Sequence, residues 1–144
     1  MFRFLVVSCI VFSLTIPARG ETLPGPIEAE VIRIVDGDTI KVRATIWVDQ
    51  TVEVSVRLRG IDAPEIYRPK CEAEKALART AKQLVAAAAP VGSQVLISDI
   101  SRDKYGGRVV ANILISDGET LAERLLAQDQ AIPDGAPKPW CGAS

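Results

Sequence analysis

Between residues 29 and 59 apolar and polar positions follow a strand-like rhythm. Ala29 to Val35 is apolar and β-branched, which predicts a strand. Asp36-Gly37 is a strong turn signal, and Thr39 to Trp47 reads as the return strand of a hairpin. Val48 to Gln50 is a short turn. In Thr51 to Arg59 the alternation is cleanest, with Val52, Val54, Val56 and Leu58 on one face and Thr51, Glu53, Ser55, Arg57 and Arg59 on the other. Parity alone therefore takes Arg57 out of the core. Gly60 to Lys70 contains Pro64 and Pro69 and reads as a loop.

The rhythm then changes. Glu72 to Ala88 is rich in Ala, Leu, Glu and Lys and predicts a helix, stopped by Pro90 and Gly92. Gln94 to Ser98 is a short strand, Asp103 to Arg108 a polar turn with glycines, and Val109 to Ile115 the next strand. Asp117-Gly118 turns the chain again. Thr120-Leu121-Ala122-Glu123 is a capping box that opens a helix running to about Gln130, with Pro133 beyond it. A tail rich in Pro and Gly leads to Cys141. The order β-β-β-α-β-β-α predicts an α+β fold, a five-stranded partly open Greek-key barrel of the OB type.

The first 20 residues lie outside this pattern. Arg3 precedes an apolar run from Phe4 to Ile16, and Ala18-Arg19-Gly20 offers a small-x-small cleavage site. That is the layout of a secretory signal peptide. The run falls short of the roughly 20 apolar residues of a membrane span, and an uncleaved leader acting as a loose anchor is the alternative. The expected organisation is a leader at 1–20, a linker at 21–28 carrying Pro24 and Pro26, and one domain at 29–144. Export to the periplasm or the medium follows, with no membrane association after cleavage.

Charge and cysteines sharpen the picture. The chain has 17 Lys+Arg and 18 Asp+Glu, a net charge of −1 that becomes −3 once Arg3 and Arg19 leave with the leader. That is a poor electrostatic advertisement for a nucleic-acid binder. Of the 3 cysteines, Cys9 lies in the leader. The remaining pair, Cys71 and Cys141, reads as one disulfide in an oxidising compartment, against the alternative of two unpaired buried thiols.

Candidate chemistry concentrates in loops. Asp36, Asp38, Asp62 and Glu65 fall at strand ends around one barrel mouth. The chain contains no histidine, so a bound metal would be a hard, oxygen-loving cation, calcium or magnesium, rather than zinc. Taken alone, Asp36-Gly37-Asp38 reads better as a turn with one spare acid than as a ligand pair, and Asp62-Ala63-Pro64-Glu65 likewise reads as a turn. Arg57 and Arg108 add guanidinium forks that match phosphate oxygens, whereas Arg59 and Arg102 read as solvated surface charges. Carboxylates for a cation together with arginines for a phosphate suit phosphoryl transfer.

Three linked segments then resemble the staphylococcal nuclease (thermonuclease-like) family. They are Ile34-Val35-Asp36-Gly37-Asp38-Thr39-Ile40; Val56-Arg57-Leu58 leading into Gly60-Ile61-Asp62-Ala63-Pro64-Glu65; and Asp103-Lys104-Tyr105-Gly106 with Arg108 nearby. The resemblance covers roughly residues 29–132. It implies a calcium-dependent enzyme that cleaves DNA and RNA with low base specificity and leaves 3′-phosphate ends. It further implies that Asp38, Asp62 and the backbone carbonyl of Ala63 ligate calcium, with Asp36 supporting through water. Glu65 would serve as general base or position the attacking water, and Arg57 and Arg108 would bind the phosphate and stabilise the transition state. Lys104 and Tyr105 would lie near a terminal phosphate. The substrate would be single-stranded or frayed DNA or RNA; a monomer without a stable protein partner is expected.

Three departures accompany the resemblance. Ala63 stands where the family's best-known member has threonine, Gly107 intervenes before Arg108, and the final helix with its base-stacking tyrosines is missing. A non-catalytic OB module binding nucleic acid or protein is the main competitor, and an envelope-associated structural domain a third reading. The joint retention of Asp38, Arg57, Asp62, Glu65 and Arg108 favours an enzyme, because a binding module does not need that set.

Overall fold

The computed structural model describes residues 22–142, so the expected leader lies outside the described residues. Five strands close a barrel in the order β1-β2-β3-β6-β5. These are β1 (Ile27–Ile34), β2 (Thr39–Trp47), β3 (Gln50–Leu58), β5 (Gln94–Arg102) and β6 (Arg108–Leu114). A short β4 (Ile61–Asp62) pairs with β7 (Ile132–Pro133) outside the barrel. Helix α1 (Glu72–Ala88) lies between β4 and β5, and α2 (Leu121–Ala127) follows β6. Closure comes from a parallel pairing of β3 with β6, and the other barrel pairs are antiparallel. The architecture is the OB-fold that the element order predicts.

Period-two patterning fills the barrel. Val31, Ile40, Val42, Val56, Leu58, Ile97 and Ile113 are buried in one core. Helix α1 contributes Ala78, Ala81 and Val85, a stripe at helical spacing, and α2 contributes Leu121 and Leu125. Thr120 and Glu123 form the expected capping box, although α2 ends at Ala127 rather than near Gln130. The apolar face of β3 is buried only toward its C-terminal end. Val56 and Leu58 are covered, whereas Val52 joins Ile46, Trp47 and Val48 as exposed apolar residues around the β2–β3 hairpin.

Three further differences from the sequence pattern have local causes. Strand β1 begins at Ile27, within the stretch expected to be linker, because residues 27–30 pair with 94–97 of β5. Strand β5 runs to Arg102 through a register irregularity between Ser98 and Ser101. Asp99 within it adopts a positive φ of 50°, which breaks the alternation that would have signalled a longer strand. Strand β4 is too short to be read from periodicity, since its two residues are defined only by distant partners downstream (Ile61 opposite Pro133, Asp62 opposite Ile132).

A disulfide joins Cys71 to Cys141, with Cα atoms 5.9 Å apart, across a sequence separation of 70 residues. It ties the tail to the first turn of α1. Loop-closure entropy over that span amounts to about 4 kcal/mol at most. Replacing both cysteines by serine is expected to lower stability by about 2–4 kcal/mol. Denaturation midpoints of the oxidised protein and the variant measure this, and equal midpoints would show that the bond constrains nothing.

Candidate active site at the barrel mouth

The β2–β3 register builds the centre of the site. Arg57 stands opposite Thr39, next to Asp38, and the Leu58 amide donates to the Asp38 carbonyl at 2.8 Å. The Arg57 guanidinium then reaches both acids. One terminal nitrogen donates to Asp38 Oδ2 at 2.6 Å; the other donates to Asp62 Oδ1 and, at 3.2 Å, to the Ile61 carbonyl. Burial alone would depress the Arg57 pKa, but Asp38 and Asp62 outweigh it and hold it above its ordinary value. Asp38 is itself buried, and its other oxygen accepts from the Thr39 hydroxyl at 2.8 Å.

The turn that carries the acids is set by close packing. A Cβ on Gly37 would stand 2.8 Å from the Ala81 Cβ and 3.0 Å from the Ala63 Cβ, so only glycine lets this turn seat against α1 and residue 63. Asp36 accepts from the Asp38 amide at 3.1 Å. Burial first, and then the neighbouring Asp38 charge, push its carboxyl up to about 6.

Glu65 is exposed and, among the described residues, its carboxylate takes part in no hydrogen bond or ion pair. Its loop is nevertheless fixed. Buried Glu74 accepts from the Glu65 amide at 3.1 Å and from the Lys70 amide at 2.7 Å. Tyr67 donates from its hydroxyl to the Val35 carbonyl at 3.2 Å. Cys71 caps α1, its sulfur accepting from the Glu74 amide at 3.3 Å. Sequence reasoning missed Glu74 as a positioning residue. It sits three residues after the N-cap, where a carboxylate usually serves the helix end itself, so the sequence carried only a capping signal.

Arg57, Asp62, Glu65, Lys104, Tyr105 and Arg108 all line one cleft of about 590 Å³. The extra glycine does not remove Arg108 from it. Gly107 takes a positive φ of 76°, the Asp103 amide closes the turn onto the Arg108 carbonyl at 3.2 Å, and Arg108 opens β6 opposite Ser55. Arg108 is ion-paired with Asp103, and its guanidinium lies 5.0 Å from the centre of the Tyr105 ring, with the Lys104 ammonium 5.1 Å from the same centre. Asp38 and Ala63 lie deeper, beneath Arg57 and Asp62, and the Ala63 amide approaches Asp38 Oδ2 at 3.4 Å.

Of the two arginines read as solvated surface charges, Arg102 is exposed and Arg59 is partly buried. Arg102 lines the cleft. Arg59 braces β5 and β6, donating to the Asp99 carbonyl at 2.6 Å, the Ser101 hydroxyl at 2.7 Å and the Val110 carbonyl at 3.1 Å. Sequence reading also passed over Lys138 and Asp134 of the tail, which line the cleft too. A second depression of about 570 Å³, beside Val95, Leu96, Leu114 and Ile115, carries no cationic side chain and lacks the means to hold a phosphate.

The donor set at the mouth suits a hard cation. Asp38 and Asp62 face the same guanidinium, one at each terminal nitrogen of Arg57, and Asp36 accepts from the Asp38 amide; among the described residues no histidine or free thiol is available as a softer ligand. Among the described residues no three His, Cys, Asp or Glu side chains converge on a single ion position. A cation here would be held by two carboxylates, completed by carbonyl, water or phosphate oxygens.

Comparison with known proteins agrees with this geometry. The sequence profile of the family described as "Staphylococcal nuclease homologue" matches residues 55–133, more than half of the chain. An uncharacterized endonuclease of Escherichia coli is 35% identical over 92 residues, which is 64% of this chain and 51% of that protein. The matched region thus spans about half of that relative's length.

Two outcomes follow for this site. Glu74→Ala leaves the Glu65 and Lys70 amides without an acceptor and is expected to destabilise the fold by about 1–3 kcal/mol. Faster amide hydrogen exchange at Glu65 and Lys70 than at the helix interior checks this, and unchanged exchange would remove Glu74 as the loop's anchor. The second outcome concerns Asp103. Burial tends to raise its carboxyl, but the Arg108 hydrogen bond and charge and the amides of Lys104 and Tyr105 hold it below the usual carboxylate range. A depressed folded-state pKa stabilises the fold above the unfolded value, near 4, and that contribution is lost as pH falls through the folded value. The stability gap between the protein and Arg108→Gln should therefore be full near neutrality and close in acid; a gap independent of pH would contradict the pairing.

Proposed function

The chain belongs to the staphylococcal nuclease homologue family, and on that premise we propose that it is a calcium-dependent exported nuclease. It hydrolyses phosphodiester bonds of single-stranded or frayed DNA and RNA with low base specificity and leaves 3′-phosphate ends. The observation that carries this reading is the convergence of Arg57, Asp62, Glu65 and Arg108 on one cleft, with Asp38 directly behind Arg57.

The roles are those the family resemblance implies, and the arrangement of the cleft supports them. Asp38, Asp62 and the Ala63 carbonyl would hold a calcium ion. When bound, that ion polarises a phosphoryl oxygen and offsets its charge. Arg57 stands beside both acids, and a cation taken up by Asp38 and Asp62 would free its planar fork to meet a phosphate. Arg108 lines the same cleft, and together the two guanidiniums would stabilise charge that grows on the equatorial oxygens. Glu65 is the one of these acids without a cationic partner, which suits it to take a proton from the attacking water. The water oxygen bonds to phosphorus, the bond from phosphorus to the 5′ oxygen breaks, and that oxygen leaves with a proton from solvent. Lys104 and Tyr105 line the rim where a terminal phosphate would rest.

Export and a Cys71–Cys141 bond support one another, because such bonds persist in oxidising compartments. Among the described residues no helix is long and apolar enough to cross a membrane.

Single-stranded DNA incubated with calcium is expected to yield 3′-phosphate products, and a chelator to stop the reaction. Glu65→Ala and Arg57→Lys should each slow turnover at least about 100-fold with the fold intact, the first losing the proton acceptor and the second the planar fork. Turnover unchanged in either variant removes that residue from the mechanism. No cleavage by folded protein at low salt would instead favour a binding module on the same barrel.

A further inference from the structure

The tail after β7 is fastened at both ends. It begins where Ile132 and Pro133 pair with β4 and the Asp134 amide donates to the Gly60 carbonyl at 3.0 Å. It ends at the Cys71–Cys141 disulfide, beside buried Trp140. Between these anchors the chain passes the rim of the cleft and places Lys138 there. The Lys138 ammonium stands 3.7 Å from Asp62 Oδ2 and 5.3 Å from the centre of the Trp140 ring, with its side chain 45% exposed.

Charge gives this placement a consequence. The cleft is lined by five cationic side chains and four carboxylates. Lys138 is the cation that tips it from neutral to positive, on a chain whose net charge is −1. The cation–π contact and the fastened tail hold the ammonium at the rim, while its contact with Asp62 is too long to be a tight hydrogen bond. An ammonium held in place but loosely paired is suited to exchange a carboxylate for a phosphate.

We propose that Lys138 is a substrate-binding residue that contacts a backbone phosphate of the nucleic acid, and that the Cys71–Cys141 disulfide is the positioning device that holds it at the cleft. The inference rests on the nuclease reading of the site. It assigns the covalent tail a role in substrate affinity, apart from its contribution to stability.

The test measures binding separately from cleavage. A fluorescein-labelled oligothymidylate is titrated by anisotropy against Glu65→Gln protein with calcium over a series of NaCl concentrations. Adding Lys138→Gln is expected to weaken binding about three- to tenfold at low salt, the scale of one net hydrogen bond made in competition with water. It should also reduce the slope of log affinity against log salt by about 0.7, the loss of one counterion-releasing contact on a single strand. Lys138→Arg should preserve the slope. A merely structural role for the residue would not move the slope by that amount.

The variant Cys71→Ser/Cys141→Ser keeps a side-chain oxygen to cap α1 while releasing the tail. It should reproduce the Lys138→Gln loss, and combining the two should add nothing further. Equal affinity and slope with and without the Lys138 charge overturns the proposal, even where the protein cleaves DNA and Glu65→Gln does not. A full Lys138 effect in the released-tail variant overturns the role of the disulfide. Absence of cleavage by the unsubstituted protein is a separate result that bears on the nuclease reading alone.

Discussion

One guanidinium holds the mouth of this barrel together. Arg57 projects from the outer face of β3 and ties Asp38, from the β1–β2 turn, to Asp62 and the Ile61 carbonyl of β4. The partners come from two separate segments, and the carboxylate of Asp38 is almost wholly shielded from water. A buried carboxylate without a cation is costly, so the acids and the arginine require one another. β4 in turn seats β7, and β7 launches the tail. The position of much of the cleft wall therefore traces back to this contact and to the strand register that puts Arg57 beside Asp38.

Rigidity around the cleft is distributed according to role. Arg57 is held at both ends of its fork, and Arg108 is held by Asp103 and stands near Tyr105. Glu65 is the contrast, because its backbone is anchored through Glu74 while its carboxylate is left unengaged among the described residues. On the proposed reading, the groups that would present a fixed charge are braced, and the group that would exchange a proton is left free. The cysteine pair joins the two arrangements. Cys71 caps the helix that supplies Glu74, and its bond to Cys141 fastens the tail that carries Lys138.

The acidic net charge, a serious objection at the level of composition, loses force locally. Charges that determine encounter with a polyanion are those within about 8–10 Å of it, since salt screens the rest. Arg57, Arg102, Lys104, Arg108 and Lys138 gather at one cleft, while Glu28, Glu30 and Asp117 lie elsewhere on the fold. Average charge describes the surface as a whole and says little about a cleft that collects five of its cations.

Much of the fold and part of the site were legible before any coordinates. Strand β2 and helix α1 have the limits their patterns predict, and the capping box at Thr120 forms as written, because periodicity and capping are local properties of consecutive residues. Parity also put Arg57 outside the core, and the spacing of Asp36, Asp38, Asp62 and Glu65 marked a barrel mouth. Tertiary structure alone decided the rest. β4 exists only through β7, Gly37 is required only because α1 passes within contact distance, and Glu74 anchors a loop that its sequence position does not announce. Arg102 and Lys138 enter the cleft for the same reason: pairings between segments distant in the chain bring them there. The sequence by itself determined the elements, their faces and the kinds of chemical group available; which of those groups meet was left to strand register, helix packing and one covalent bond, because contacts between distant segments have no signature in local order.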